Sequence, residues 1–308
     1  MSAILVTGAD LAPEALSLLK GRDVVYAGRT PTEADLVALC RTHDPVAIIV
    51  RYGKVGGAVM DAAPSLKVIS KHGSGTDTID KAAAKARGIE VVAAAGANAA
   101  AVAEQALALL LACAKSVVQL NARMHDGHWD KATHKSLELG GRTIGLIGLG
   151  AIGLRFARMA DAIGMKVIGF DPFASGLPDH VKSVELPEIW SESDVISLHC
   201  PLTEENRRLV NADTLAQCKA GVIVVNTARG GLIDEPALLM AIRSGRVAMA
   251  GLDSFAVEPM APGHPFQGEK NLVLSPHIGG VTRDAYVNMG VAAAKNLLAV
   301  LARQGAPA

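Results

Sequence analysis

The sequence of 308 residues is poor in aromatic side chains, which make up 3% of it, and it contains only four cysteines. Because Cys40, Cys113, Cys200 and Cys218 form no C-x-x-C pair, we expect free thiols and neither disulfides nor a metal site. Neither sign of charge dominates, since 30 basic residues balance 30 acidic ones. This balance argues against nucleic acid or an anionic membrane as a partner.

Long hydrophobic runs are also missing. The longest, residues 106–114, is far shorter than a membrane-spanning helix. The N-terminal segment MSAILVTGAD has neither the charged region nor the apolar stretch of a signal peptide. With 50% hydrophobic residues and few aromatics, the core must be aliphatic and rich in alanine. The length suits two domains that each bury a core, and we expect a cytoplasmic protein.

The first third of the chain alternates short apolar runs with helical segments. Five runs have the length of buried strands, at residues 4–6, 24–26, 47–50, 68–69 and 90–93. Strands that alternate with helices predict a parallel sheet covered on both faces, and therefore an α/β domain. This domain carries no phosphate-binding fingerprint, which suggests that it binds the substrate.

Two loops at predicted strand ends of this domain are candidate ligand-binding segments, because ligands of open α/β sheets gather at that edge. One is RYGK at residues 51–54, and the other is KHGSGTD at residues 71–77. The glycines and small residues of the second loop expose consecutive backbone N–H groups that suit a carboxylate. An ordinary turn between strand and helix explains the same pattern equally well.

The stretch GRTIGLIGLGAIGLRFARMADAIGMKVIGFD, residues 141–171, reads as strand, glycine-rich turn, amphipathic helix and second strand. Gly148 allows the tight turn, Gly150 lets a pyrophosphate approach, and Gly153 allows close packing of helix and strand. Asp171 follows about 20 residues later, where a carboxylate can bind the ribose hydroxyls and repel a 2′-phosphate. The pattern predicts a Rossmann domain that binds NAD rather than NADP. A glycine-rich turn in another kind of α/β protein is the alternative.

A long helix is predicted between the two domains. Asn98 is suited to cap a helix over residues 99–121, whose middle is apolar on all sides. Such a helix must be buried by the other domain or by a second subunit. A last helix over residues 283–303 is expected to fold back on the first domain.

Polar side chains follow three predicted strands of the second domain. His277 suits a general acid–base, because imidazole titrates near neutral pH. Arg229 suits a keto acid, because its planar fork can hold a carboxylate and a carbonyl together. Glu258 would raise the pKa of His277 if it bonds the far ring nitrogen. Spacing alone also allows a structural ion pair between Arg229 and Glu258 and a packing role for His277.

The chain resembles the D-2-hydroxyacid dehydrogenase family over nearly its whole length. The matching motifs are GANAAAVAEQALALLLACAK, ELGGRTIGLIGLGAIG, NTARGGLIDEPALLMAI, GLDSFAVEP and SPHIGG. The resemblance implies an NAD-binding Rossmann domain over residues 99–280. It also implies a flavodoxin-like substrate-binding domain over residues 1–98, completed by a C-terminal helix at 281–308. An NAD-dependent oxidoreductase that forms a homodimer through its nucleotide-binding domain is expected.

The resemblance also assigns roles to individual residues. His277 matches the family's acid–base, Glu258 its carboxylate partner and Arg229 its substrate arginine. NAD contacts are implied at Ser74, Gly148, Gly150, Ala151, Ile152, Gly153, Asp171, Cys200, Pro201, Thr227, Ala228, Arg229, Asp253, His277, Gly279 and Gly280. Substrate contacts are implied at Arg51, Lys71, Ser74, Gly75, Arg229 and His277.

The substrate expected from the resemblance is a small 2-hydroxy or 2-keto acid, in first place 3-phosphoglycerate. Members that act on phosphoglycerate often carry arginine where Lys71 stands, although Lys71, Arg51 and Lys131 together could bind a phosphate. Glyoxylate or hydroxypyruvate reduction is therefore the close alternative. Feedback control through the C-terminal regulatory domain of longer relatives is not expected. A binding protein that senses NAD, like the corepressors of this fold, is the alternative of another class.

Overall fold

The computed structural model describes residues 2–305 of the chain. Two compact units are present, one formed by Met1–Asn98 with Gly280–Ala308 and the other by Ala99–Gly279. The predicted C-terminal segment 281–308 includes residues 306–308, which lie outside the described residues. Each unit contains one parallel sheet, so the predicted α/β class is confirmed.

The first unit is built on a five-stranded sheet. Its strands are β1 (Ala3–Val6), β2 (Asp23–Tyr26), β3 (Ala47–Val50), β4 (Val68–Lys71) and β5 (Glu90–Ala93). Its helices are α1 (Pro13–Leu18), α2 (Glu33–His43), α3 (Gly57–Asp61), α4 (Lys81–Ala86) and α11 (Arg283–Arg303). The strand order β2-β1-β3-β4-β5, with all pairs parallel, is that of flavodoxin-like folds.

Both faces of this sheet are buried, because successive residues of a strand point to opposite sides. Ile4 and Val6 pack in one cluster with Ala293 and Leu297 of α11, whereas Leu5 packs in the opposite cluster. By length and composition α11 passes for a membrane span, as do the helices at Ala99–Lys115 and Val117–His125 if they are joined across a 60° bend. In this structure the apolar side of α11 belongs to the core of the first unit.

The second unit is built on a seven-stranded sheet. Its strands are β6 (Thr143–Ile147), β7 (Lys166–Phe170), β8 (Val181–Ser183), β9 (Val195–Leu198), β10 (Val222–Asn226), β11 (Val247–Leu252) and β12 (Leu272–Leu274). Its helices are α5 (Ala99–Lys115), α6 (Val117–His125), α7 (Ala151–Ala162), α8 (Leu186–Glu192), α9 (Ala212–Gln217) and α10 (Glu235–Arg243). Two apolar clusters, one on each face of the sheet, form its core.

The strand order of the second sheet locates a ligand-binding edge. The order is β12-β11-β10-β9-β6-β7-β8, and all neighbours are parallel. The chain therefore starts in the middle at β6, runs outward through β7 and β8, and returns to β9 on the other side of β6. This is the Rossmann order, in which ligands bind at the carboxyl ends of the strands where the direction of winding reverses.

The helix predicted over residues 99–121 is in fact two helices. Ser116 has a left-handed backbone, with φ of 51°, and it separates α5 from α6. Leu109, Leu110 and Cys113 of α5 are buried in the core, but Leu111 is 37% exposed. Within the single chain α5 is therefore not buried on all sides, and burial of its exposed side by a second subunit stays a prediction. None of the residues of α6 is buried, so its apolar side chains lie at the surface of this unit.

Candidate active site

The glycine-rich turn joins β6 to α7, and its three glycines meet different surroundings. A Cβ on Gly148, whose φ is 98°, would lie 2.6 Å from the backbone nitrogen of Cys200. A Cβ on Gly153 would lie 2.0 Å from the carbonyl oxygen of Gly148. A Cβ on Gly150 would meet no protein atom within 4 Å. Folding therefore requires the first and third glycines, whereas Gly150 leaves open space at the N-terminus of α7, where a helix favours phosphate groups.

Asp171 directly follows β7 and is bonded to this turn. One carboxylate oxygen accepts a hydrogen bond of 2.8 Å from the backbone N–H of Leu149, and the other accepts one of 2.9 Å from Phe173. These bonds fix the carboxylate beside the glycine-rich turn. Each oxygen keeps a second acceptor site, as binding of ribose hydroxyls requires.

The other predicted cofactor contacts of the second unit lie along the same sheet edge. Ala151 and Ile152 begin α7, Cys200 and Pro201 follow β9, Thr227 and Ala228 follow β10, and Gly279 follows β12. Burial raises the pKa of the Cys200 thiol to about 11, so it is neutral at physiological pH. The buried hydroxyl of Thr227 has no hydrogen-bond partner within residues 2–305. Such an unsatisfied group fits a site whose remaining partner is a bound molecule.

The structure brings Glu258 and His277 into direct contact. Nδ1 of His277 lies 2.7 Å from Oε2 of Glu258. The other oxygen of Glu258 accepts a hydrogen bond of 2.9 Å from the backbone N–H of Phe255. His277 itself has a left-handed backbone, with φ of 54°. A non-glycine residue in that conformation is uncommon and is often found at functional sites.

The contact sets the charge state of both groups. The hydrogen bond that His277 donates to Glu258, helped by the charge of Glu258, raises the pKa of His277 against the opposing effects of burial and of Arg229. Burial alone would raise the pKa of Glu258, but hydrogen bonds from His277 and from the Phe255 N–H outweigh it and lower that pKa. The pair therefore consists of an ionised carboxylate and an imidazole that keeps its proton to higher pH than a free histidine.

Arg229 lies in the turn that follows β10. Its guanidinium Nη1 donates a hydrogen bond of 2.7 Å to the carbonyl of Ala228. The buried side chain of Asn226 fixes the turn, because its amide donates to the carbonyl of Arg229 at 2.9 Å and accepts from the N–H of Ala228 at 2.9 Å. The charge of Arg229 acts on the pKa values of both Glu258 and His277. The three predicted catalytic residues are thus neighbours in one unit.

Asp253 holds the turn that carries His277. Its carboxylate is 2% exposed and accepts bonds of 2.5 Å from the Ser275 hydroxyl, 2.9 Å from the Ile278 N–H and 2.7 Å from the Gly279 N–H. Gln105 of α5 donates to the same Ser275 hydroxyl at 3.0 Å. The supporting roles of Asn226, Ser275 and Gln105 were not predicted. A polar side chain at the end of a buried strand was the available signal for Asn226.

The predicted substrate residues lie in the first unit: Arg51 follows β3, Lys71 is the last residue of β4, and Ser74 and Gly75 lie in the loop after β4. The ammonium of Lys71 lies 3.3 Å from the carbonyl oxygen of Arg51, and the Ser74 hydroxyl lies 3.0 Å from the Asn98 side chain. Gly280, a predicted cofactor contact, also belongs to this unit. Within residues 2–305 no group of three or more His, Cys, Asp or Glu side chains is placed to hold a metal ion.

Comparison with known proteins identifies the class. The profile of the D-isomer specific 2-hydroxyacid dehydrogenase NAD-binding domain matches residues 107–279. The chain is 40% identical to the hydroxypyruvate reductase of Thermotoga maritima over 283 residues, which cover 91% of this chain and 92% of that protein. It is 41% identical to the D-3-phosphoglycerate dehydrogenase of Archaeoglobus fulgidus over 256 residues, which cover 82% of this chain but 49% of that protein. The chain therefore spans about half the length of this second relative.

A solved structure agrees with these matches. The glyoxylate reductase of Paecilomyes thermophila superposes with a TM-score of 0.87 at 30% identity, and the alignment covers 98% of this chain and 96% of that one. The chain belongs to the D-isomer specific 2-hydroxyacid dehydrogenase family. It is accordingly an NAD-dependent oxidoreductase that acts on CH–OH groups, and the predicted Rossmann domain and cofactor are confirmed.

Proposed function

We propose that the chain interconverts a small 2-keto acid and the corresponding D-2-hydroxy acid, with His277 as the general acid–base. The observation that supports this most directly is the 2.7 Å contact between Glu258 and Nδ1 of His277, beside the turn of Arg229. Because Nδ1 is engaged by Glu258, Nε2 is the ring nitrogen left to exchange a proton with the substrate oxygen. The bound nicotinamide supplies or accepts the hydride.

The three side chains divide the remaining work. In reduction, His277 donates its proton to the carbonyl oxygen as that oxygen becomes a hydroxyl, and in oxidation it takes the proton back. Arg229 holds the carboxylate of the substrate and polarises its carbonyl through a planar set of donors. Glu258 keeps the imidazole oriented and favours its protonated form. His277→Ala should abolish most turnover while NADH binding persists, whereas turnover at the wild-type rate would refute the assignment.

For the cofactor we propose that Gly150 and the start of α7 bind the pyrophosphate and that Asp171 binds the adenosine ribose. The open space at Gly150 and the fixed carboxylate of Asp171 support this placement. Asp253, whose carboxylate accepts three hydrogen bonds from the His277 turn, would also contact the nicotinamide. Fluorescence titration with NADH tests the assignment, because binding should persist in catalytic variants and weaken in variants of the turn.

The sequence puts phosphoglycerate first among substrates, but one contact in the first unit favours glyoxylate or hydroxypyruvate. The guanidinium of Arg51 forms an ion pair with Asp10 and lies over the rings of Tyr52 and Tyr286, with its central carbon 5.3 and 5.0 Å from the ring centres. The Tyr286 hydroxyl donates to the same Asp10 carboxylate at 2.9 Å. Arg51 is therefore already neutralised, and a phosphate at this loop would meet the carboxylate of Asp10 as well.

A substrate panel decides between these candidates. NADH oxidation is measured with glyoxylate, hydroxypyruvate, pyruvate and 3-phosphohydroxypyruvate under the same conditions. A higher kcat/KM for hydroxypyruvate than for its phosphate ester supports the reductase, and the reverse order supports the phosphoglycerate enzyme. Failure to oxidise NADH with any of them would contradict the proposal and favour an NAD-sensing binding protein.

We also propose a cytoplasmic homodimer formed through the second unit. The support is an exposed apolar surface on α6 and the following loop, where Val117, Val118, Met124 and Trp129 are 54%, 50%, 53% and 75% exposed. An apolar patch of this kind is typical of a protein interface. Light scattering on the purified protein tests the oligomeric state, and Trp129→Glu should shift a dimer toward monomer.

A further inference from the structure

Glu235 is the first residue of α10, directly after the turn that carries Arg229, and it bonds to two parts of a distant loop. One carboxylate oxygen accepts a hydrogen bond of 2.8 Å from the backbone N–H of Ala256. The other lies 3.4 Å from Nε2 of His264. The Glu235 side chain is 15% exposed. We propose that Glu235 is a positioning residue, which holds the segment before Glu258 so that Glu258 meets His277 correctly.

The bonded segment is the one that places Glu258. Ala256 lies two residues before Glu258, and the N–H of the preceding residue, Phe255, donates to a Glu258 carboxylate oxygen at 2.9 Å. The second oxygen of Glu258 is the one that contacts His277. A shift of the backbone at 255–256 therefore moves the carboxylate that orients the imidazole.

The backbone at 255–256 is confined from two sides. A Cβ on Gly230 would lie 1.9 Å from the carbonyl carbon of Phe255 and 2.4 Å from the nitrogen of Ala256. The turn of Arg229 and Gly230 thus packs directly against this backbone, and the carboxylate of Glu235 accepts the hydrogen bond from the Ala256 N–H. Removal of that carboxylate leaves the close contact in place but takes away the bond that fixes the direction of the peptide.

His264 gives Glu235 a second bond in the same loop. Nδ1 of His264 accepts a hydrogen bond of 3.2 Å from the N–H of Phe266, so Nε2 carries the proton that faces Glu235. The imidazole also packs edge-on against Phe266, with ring centres 4.9 Å apart, and Phe266 is buried in the core. Glu235 is therefore bound both to the segment just before Glu258 and to a part of the loop that packs in the core.

A purely structural role makes a different prediction. An acid in the first turn of a helix stabilises that helix through its dipole, and its loss then lowers thermal stability without changing the titration of a distant histidine. Glu269 provides the matched control, because it is 17% exposed, lies at the other end of the same loop and pairs with Arg243 at the other end of α10. Glu269→Ala removes a comparable ion pair away from Glu258.

The decisive measurement is the NMR titration of the His277 imidazole in Glu235→Ala, Glu235→Gln and Glu269→Ala, with His277→Gln to assign its signal. We expect the midpoint to move to lower pH in Glu235→Ala, in the direction of Glu258→Gln. It should stay close to wild type in Glu235→Gln, whose amide oxygen can still accept from Ala256, and in Glu269→Ala. A Glu235→Ala protein that melts earlier but keeps the wild-type midpoint would overturn the proposal.

The kinetic consequence rests on the proposed function, whereas the titration does not. In keto-acid reduction, kcat of Glu235→Ala should fall by about tenfold, a part of what a positioned acid–base group contributes. The alkaline limb of its pH profile should move to lower pH, with NADH affinity unchanged. A shifted titration in a protein that reduces no keto acid would refute the reductase and keep the positioning role. An unshifted titration in a variant that still reduces keto acids would refute the positioning role and keep the reductase.

Discussion

Gly150→Ala and Gly153→Ala separate cofactor binding from folding within a single turn. The added methyl group of Gly150→Ala meets no protein atom within 4 Å, and the φ of −76° suits alanine. The added methyl group of Gly153→Ala lies 2.0 Å from the carbonyl oxygen of Gly148, far inside van der Waals contact. We expect the first substitution to weaken NADH binding with little change in stability, and the second to destabilise the second unit.

The magnitudes follow from the two environments. Alanine is a poorer N-cap than glycine but costs less chain entropy on folding, so the free energy of unfolding of Gly150→Ala should change by less than about 1 kcal/mol. A methyl group between the turn and the pyrophosphate displaces one charge-assisted hydrogen bond, worth about 1.5–3 kcal/mol, which corresponds to roughly a 10- to 150-fold rise in Kd. Overpacking at Gly153 costs about 1–3 kcal/mol or more, because both colliding groups are backbone.

Two assays on the same samples test this. Fluorescence titration gives the Kd of NADH, and thermal unfolding gives the Tm, for which about 1 kcal/mol corresponds to roughly 2–4 °C in a unit of this size. Gly150→Ala should retain the wild-type Tm without ligand and lose most of the stabilisation that NADH confers. Wild-type NADH affinity in Gly150→Ala, or a loss of Tm equal to that of Gly153→Ala, would show that the space beside Gly150 is not the pyrophosphate site.

Three further substitutions address the cofactor, the acid–base pair and the substrate. Asp171→Ala should weaken NAD binding and raise tolerance of NADP, measured as the ratio of the two kcat/KM values, because a carboxylate repels the 2′-phosphate; an unchanged ratio would exclude the role. Glu258→Gln removes the main cause of the raised pKa of His277, so that pKa should fall. In stopped-flow pH profiles, keto-acid reduction should then be lost at lower pH than in wild type, and hydroxy-acid oxidation should begin at lower pH. Asp10→Asn frees the charge of Arg51 and should increase kcat/KM for 3-phosphohydroxypyruvate relative to hydroxypyruvate by roughly tenfold. The same ratio of kcat/KM values in the variant and in wild type would mean that the pair of Arg51 and Asp10 does not select the substrate.

The fold, and the sheet edge at which the candidate site residues lie, could be predicted because both depend on patterns within short segments. Buried strands such as β3 and β10 are continuous apolar runs, which the chain shows plainly. The glycine-rich turn and Asp171 are recognised by spacing. The placement of Arg229 and His277 after strands put them at the ligand-binding edge of the sheet before any contact was known.

The features that escaped prediction depend on pairing between distant segments. The break at Ser116 follows a run of good helix formers. The Ser116 hydroxyl contacts the sulfur of Met249, which lies 133 residues further along the chain. The pairing of Arg51 with Asp10 joins loops 41 residues apart in the chain. No local pattern shows which carboxylate an arginine will contact, so the loop after β3 could be predicted as a ligand-binding segment, but the ion pair between Arg51 and Asp10 could not.

The meeting of Arg229, Glu258 and His277 follows from the continuation of the sheet beyond its strands. β10, β11 and β12 are adjacent and parallel, so their following turns start about 4.8 Å apart. The ladder continues past the strand ends, where the N–H of Asp253 donates to the carbonyl of Asn226 and that of Ser275 donates to Leu252, each at 2.9 Å. The backbone thus fixes where each turn begins, and buried side chains fix how it proceeds, with Asn226 shaping the arginine turn and Asp253 the histidine turn. No residue at positions 255–258 is buried, and the bond that the Ala256 N–H donates to Glu235 is the one that we propose to fix this segment.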